Sequence, residues 1–183
     1  MRLASIRLLL SSAAVWVAMA ADHGFGPLLP PRDLPPLEVT NQDGVSMPLT
    51  SLIRGRPAAV QFMFTSCRTA CPLLGNLFHS VEKRLGPGNS GAMLLSISID
   101  PEHDGPADLK GWLAKHQAGP RWQAVTVQPA QTKALLAAFG LEEVPRVAHT
   151  TQVFYVSSKG LILGRTTPLP EAAAVAAELR RAP

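Results

Sequence analysis

The chain has 183 residues, two cysteines and 17 basic against 13 acidic residues, for a formal charge of +4. That length suits one domain with a proper core. The modest positive balance, with no basic block long enough to track phosphates and no aromatic interleaving for stacked bases, excludes nucleic acid as a partner.

Arg2 and Arg7 give a positive start, and residues 8–21 are a mostly apolar run without a charge. Ala18-Met19-Ala20 supplies the small-x-small pattern of a signal peptidase site, so residues 1–20 read as an export signal cleaved after Ala20. The run is shorter than the roughly 20 apolar residues a membrane span needs, although an uncleaved copy would anchor the protein to the membrane. No cysteine lies near residue 20, which excludes a lipoprotein anchor. The expected destination is a bacterial periplasm or an equivalent oxidising space, either free or held on the periplasmic face of the inner membrane. Cleavage removes two arginines, leaving 15 basic against 13 acidic residues and a charge of +2.

Residues 21–36 hold five prolines and two glycines and read as a Pro-rich tether without a fold of its own, so the folded domain is expected over 37–183. Leu37-Glu38-Val39-Thr40 reads as a short strand and Asn41-Gln42-Asp43-Gly44 as a turn, which points to a hairpin or two-strand entry. Residues 58–64 are apolar on both faces, as a strand at the buried centre of a sheet requires. After Cys71, Pro72 suits a first helical turn. Leu73, Leu77, Val81 and Leu85, joined by Leu74 and Phe78, then form one apolar stripe ending at Gly86. A second buried strand is predicted over 92–99, a helix over 106–116, a strand over 122–127 and a helix over 131–139. Two short strands, 152–156 and 161–164, flank the turn Ser157-Ser158-Lys159-Gly160, and a last helix runs over about 170–181. Strand and helix alternate until the closing hairpin. This predicts an α/β fold with a mostly parallel central sheet, helices on both faces and a C-terminal β-hairpin as an antiparallel edge.

Cys67 and Cys71 follow the first buried strand directly and open a helix, the thioredoxin-like placement. With three residues between them they lie one helical turn apart if the helix starts early, both sulfurs on one face. A helix N-terminus and the neighbouring Arg68 both favour thiolate. Such a pair can cycle between dithiol and disulfide, or offer two sulfurs to a soft metal ion. One imidazole would complete a set suited to Cu(I). A purely structural disulfide over so short a loop contributes little through chain entropy.

Five histidines are available as a third ligand. His23 lies in the tether. His79 falls on the polar face of its helix beside Asn76, Glu82 and Lys83, as a solvated residue would. His116 ends a helix next to Lys115, where a positive group at the C-terminus is an adequate explanation. His149, in Val147-Ala148-His149-Thr150-Thr151, precedes a strand on the connection that faces the cysteine loop in a thioredoxin-like fold. A structural role is open to it, but its place in the topology favours a ligand. In Asp100-Pro101-Glu102-His103-Asp104, the simpler reading is a strand-end turn with Asp104 capping the next helix. The alternative is an outer-shell loop near a metal, with His103 a transient ligand.

Gly55-Arg56-Pro57, Phe62-Met63-Phe64-Thr65-Ser66-Cys67, Cys71-Pro72, the Asp100–Asp104 segment and His149-Thr150-Thr151 occur in order. Together with Asn41-Gln42-Asp43-Gly44 they resemble the Sco/SenC family, copper chaperones that help build the CuA centre of cytochrome c oxidase. The resemblance spans roughly residues 37–165 and implies a thioredoxin-like fold. It also implies Cys67, Cys71 and His149 as ligands to copper, Cu(I) or Cu(II), and a recipient cuproprotein such as a cytochrome oxidase subunit. Three departures stand out. Arg68, Thr69 and Ala70 replace the proline and aspartate usual inside the loop, Ala148 replaces an aspartate, and His103 stands where arginine is common. Fewer carboxylates near the metal imply a preference for Cu(I) over Cu(II).

A second function of a different class is a thiol-disulfide oxidoreductase, not a metallochaperone. In it Cys67 and Cys71 would be catalytic, keeping a partner's metal-site cysteines reduced and drawing on a thiol reductant. The chaperone needs His149; the oxidoreductase does not. A peroxide-reducing relative fits poorly, because Thr65 stands only two residues before Cys67 rather than three.

Overall fold

A computed structural model describes residues 26–87, 91–141 and 150–182. Eight strands form one sheet in the order β1-β8-β7-β4-β5-β6-β2-β3. The strands are β1 (Gly26–Asp33), β2 (Glu38–Asn41), β3 (Ser46–Pro48), β4 (Ala58–Met63), β5 (Met93–Ser98), β6 (Trp122–Val127), β7 (Phe154–Val156) and β8 (Leu161–Arg165). The helices are α1 (Leu49–Ile53), α2 (Ala70–Leu85), α3 (Pro106–Lys115), α4 (Thr132–Ala138) and α5 (Ala172–Arg181). Among the described residues no helix is long and apolar enough to cross a membrane.

Strand β4 sits at the centre because every one of its residues is apolar or paired. All six are buried, and its lone polar side chain, Gln61, donates to Ser96 Oγ at 2.7 Å. The period of two then divides the strand between two cores. Ala58, Val60 and Phe62 pack with α1 and α4 on one face, while Ala59 and Met63 pack with α2, α3 and α5 on the other. The second core contains both cysteines.

Parallel pairing is confined to β4, β5 and β6, and every other neighbouring pair is antiparallel. The short links β2–β3 and β7–β8 permit no other geometry, since a parallel return needs a crossover of a dozen residues or more. The β7–β8 pair is not the edge that the sequence led one to expect, because β1 covers β8. Gly26–Asp33 falls inside the stretch read as a tether, yet it runs antiparallel to β8. Its prolines are compatible with an edge strand, and the register shifts between Pro27 and Arg32, around Pro30 and Pro31. Gly164 makes the approach feasible: a Cβ there would stand 2.6 Å from the Gly26 carbonyl oxygen.

Helix α2 also departs from its predicted stripe. Its buried line is Cys71, Leu74, Gly75, Phe78, Val81 and Leu85, whereas Leu73 is 51% exposed. The face is set by Cys71 turning into the core, which rotates Leu73 outward. His116 likewise is not the positive helix-end group that its place beside Lys115 suggested. It is buried between Trp112 and Trp122, its Nδ1 lies 3.3 Å from Asn76 Oδ1, and its ring fills the space over Gly75. Burial holds its pKa below the ordinary histidine value, with Lys115 and His79 adding to the effect. His79 is half-buried rather than fully solvated.

Candidate functional site: a cysteine pair at the end of the central strand

Strand β4 ends at Met63, and the next residues must turn sharply before α2 can begin. The Cys67 amide donates to the Phe64 carbonyl at 3.1 Å, and this closes the turn. Helix α2 starts at Ala70, later than a shared helical face for the two cysteines requires, so only Cys71 is helical. Thr69, at the N-cap, makes no side-chain cap bond. The Cys71 amide, one of the first-turn donors without an intrahelical partner, donates instead to Cys67 Sγ at 3.4 Å. The sulfur thus occupies the position a capping oxygen usually takes. The two cysteines meet through that contact rather than by sharing a helix face.

The two cysteines are not joined by a disulfide and both are buried, Cys67 at 4% and Cys71 at 0% exposure. Their acidities diverge. Desolvation, the strongest influence on Cys67, works upward, but it is outweighed by hydrogen bonds from the Cys71 side chain, the Thr69 and Cys71 backbone and the Thr69 hydroxyl. The Cys67 thiol therefore lies below its ordinary value. The Thr69 hydroxyl stands 3.9 Å from the sulfur. Burial pushes Cys71 up to about 12, and its hydrogen bond to Cys67 adds to the rise. The positive end of α2 favours charge on Cys67 as well. Near neutral pH this makes a thiolate-prone sulfur beside a protonated one.

The turn is pinned from the neighbouring strand. Asp104 is 1% exposed. One of its carboxylate oxygens accepts from the Thr65 amide at 3.0 Å and the Ser98 hydroxyl at 2.6 Å, and the other accepts from the Thr65 hydroxyl at 2.5 Å. It does not cap α3. That helix begins after Gly105, whose amide donates to Asp108 Oδ2 at 3.0 Å. Asp104 instead joins the end of β5 to the cysteine turn, with Thr65 and Ser98 as partners that the sequence reading did not identify. A buried carboxylate needs donors, and hydroxyl residues at the ends of two adjacent strands were the available signal.

Asp100 and His103 sit on the same segment but outside. His103 Nδ1 lies 2.8 Å from Asp100 Oδ1, its side chain is 73% exposed, and the carboxylate raises its pKa. These two residues line a small cleft with Phe64 and Ile99.

His149 lies outside the described residues, as do the flanking Val147 and Ala148. The antiparallel register Val60↔Phe154 brings residues 150–153 to β7 from the carboxyl side of β4. Val153 is fully buried in the same cluster as both cysteines. Among the described residues no three His, Cys, Asp or Glu side chains gather to hold a metal.

Comparison with known proteins identifies the lineage. A chain of Bacillus subtilis (strain 168) named as an SCO1 protein homolog is 34% identical over 84 residues, 46% of this chain and 43% of that protein. This chain thus spans less than half the length of that relative. A Stutzerimonas stutzeri protein named for copper binding is 29% identical over 155 residues, covering 75% of this chain and 71% of its own length. Solved structures share the fold. A SCO1/SenC family lipoprotein of Bacillus anthracis superposes with a TM-score of 0.73 at 23% identity, over 85% of this chain and 96% of that one. Bradyrhizobium japonicum ScoI, solved with copper bound, gives 0.67 at 21% identity, over 87% and 99%. The thioredoxin-like architecture expected from the sequence is therefore the one present. The SCO1/SenC family profile matches residues 31–182, nearly the whole described chain, and the protein belongs to the SCO1/SenC family.

Proposed function

We propose that this protein is a periplasmic copper metallochaperone that carries copper on Cys67, Cys71 and His149 and delivers it to a respiratory cuproprotein such as the CuA site of cytochrome c oxidase. The observation that carries the reading is the contact between Cys67 Sγ and the Cys71 amide, which keeps two soft donors adjacent at a helix N-terminus. Thiolate sulfur suits Cu(I), and a third, imidazole donor completes a low-coordinate set. The chain enters β7 from the carboxyl side of β4, with Val153 in the same buried cluster as both cysteines, which supports His149 as that donor. The copper-bound ScoI structure and the S. stutzeri relative named for copper binding support the cargo. Release is ligand exchange: bonds from copper to sulfur are replaced one at a time by bonds to the recipient's cysteines or histidines. Export rests on residues 1–20, which lie outside the described residues.

One observation favours a second reading. An acidified Cys67 beside a Cys71 held at about 12 is the asymmetry that thiol-disulfide exchange uses. The first sulfur attacks a partner disulfide as thiolate, and the second later resolves the mixed disulfide. The related structure of BsSco, TM-score 0.72 at 24% identity, is described as containing a disulfide switch.

A recipient assay separates the two. The copper-loaded full-length chain is mixed with the reduced apo CuA subunit, and the copper-free chain with the oxidised one. Appearance of the CuA absorption in the first mixture supports delivery. Reduction of the recipient's disulfide in the second, with a disulfide formed between Cys67 and Cys71 and without transfer in the first, moves the function to thiol reduction.

A further inference from the structure

We propose that His103 is an auxiliary copper ligand at the rim of the site, which accepts the ion from solvent or a donor and passes it to Cys67. The inference rests on the copper-carrying reading above and adds to it the route of entry. Both cysteines are buried, at 4% and 0% exposure, so a ligand at the protein surface would meet an arriving ion before the sulfurs do. His103 is exposed, and its Nδ1 is engaged by Asp100 at 2.8 Å. In the neutral ring a carboxylate on Nδ1 favours the tautomer with the proton there and leaves Nε2 as the ligating nitrogen, the arrangement that metal-ligating histidines commonly have.

The segment is also held against the cysteine turn rather than merely near it in sequence. Asp104, the next residue, clamps Thr65 by two hydrogen bonds, and Thr65 is two residues from Cys67. Phe64 closes the geometry: it walls the cleft with Ile99, Asp100 and His103, and its carbonyl accepts the Cys67 amide. A single imidazole holds copper weakly, so the ion passes on to two sulfurs. In the transfer the Cu–Nε2 bond breaks as the Cu–Sγ bond to Cys67 forms. A thiol proton, where present, goes to solvent, and the oxidation state of copper does not change.

The test mixes the reduced full-length chain with copper(I) bicinchoninate in a stopped-flow instrument. His103→Ala should capture copper about tenfold more slowly, with unchanged final stoichiometry and thermal stability, and Asp100→Asn should slow it by a smaller factor. A second measurement removes the sulfurs. The Cys67→Ser/Cys71→Ser/His149→Ala chain with one equivalent of Cu(II) should show an imidazole nitrogen coupling by electron paramagnetic resonance that the added His103→Ala substitution abolishes. Equal capture rates, or a nitrogen signal indifferent to His103, overturns the proposal. Failure of the wild-type chain to retain copper would sink the chaperone reading instead, and the cysteine-free measurement would still decide the role of His103.

Discussion

Asp104→Ala is the most demanding test of how the site is held. The carboxylate is buried and accepts three hydrogen bonds, from the Thr65 amide, the Thr65 hydroxyl and the Ser98 hydroxyl. Removing it orphans those donors in a site from which water is largely excluded. The Thr65 hydroxyl can turn outward, because Thr65 is only half-buried. The Thr65 amide and the fully buried Ser98 hydroxyl are less free. At about 1–3 kcal/mol for each orphaned buried group, the substitution should cost about 3 kcal/mol. For a domain of this size that lowers Tm by about 6–12 °C. The loss is also local: with Thr65 released, the Cys67 sulfur should drift from the Cys71 amide, and the Cys67 thiol should titrate higher. Urea and thermal unfolding measure the first effect, and the pH profile of iodoacetamide alkylation measures the second. A variant within about 1 kcal/mol of wild type, with an unchanged Cys67 profile, would refute the clamp.

Alkylation of the reduced wild-type chain should label Cys67 first and at lower pH, leaving Cys71 untouched until the solution approaches pH 12; equal labelling by mass spectrometry counts against the asymmetry. Cys71 binds its proton more tightly folded than unfolded, so the stability it contributes is full below the ordinary thiol value of 9.0 and is lost as pH rises toward about 12. His116 acts in the opposite direction. Its folded pKa is depressed, so its contribution is full above about 6.5, the ordinary histidine value, and is lost as pH falls through the folded pKa. His116→Phe should flatten the acid limb of a stability-against-pH curve. Gly75→Ala would bring a Cβ to 2.4–2.5 Å of the His116 ring, which two tryptophans hold in place. It should destabilise by about 1–3 kcal/mol in urea unfolding, despite alanine's better helix propensity.

The central sheet was legible because its signal is local. Residues 58–63 and 93–98 are apolar at most positions on both faces, and only a doubly covered strand tolerates that. What was not legible depended on partners distant in sequence. The strand Gly26–Asp33 has the composition of a linker, and β8 with Gly164 gives it an edge to pair with. The face of α2 could not be chosen from its leucines, since Leu73 and Leu74 compete and the core beneath Cys71 decides. At the site the cysteine pair stood out, but the sequence suggested two sulfurs on one helix face. The actual contact, sulfur to backbone amide, follows from a helix that begins at Ala70. Asp104 looked like a helix cap because capping and clamping use the same residue type at the same place, and only the approach of Thr65 distinguishes them.

The central claim is best tested by anaerobic Cu(I) titration of the reduced full-length chain followed by X-ray absorption, on wild type and His149→Ala. The account predicts one copper per chain bound by two sulfurs and one nitrogen, with the nitrogen lost in the variant. A chain that holds no stoichiometric copper while Cys67 and Cys71 still exchange disulfides would contradict it.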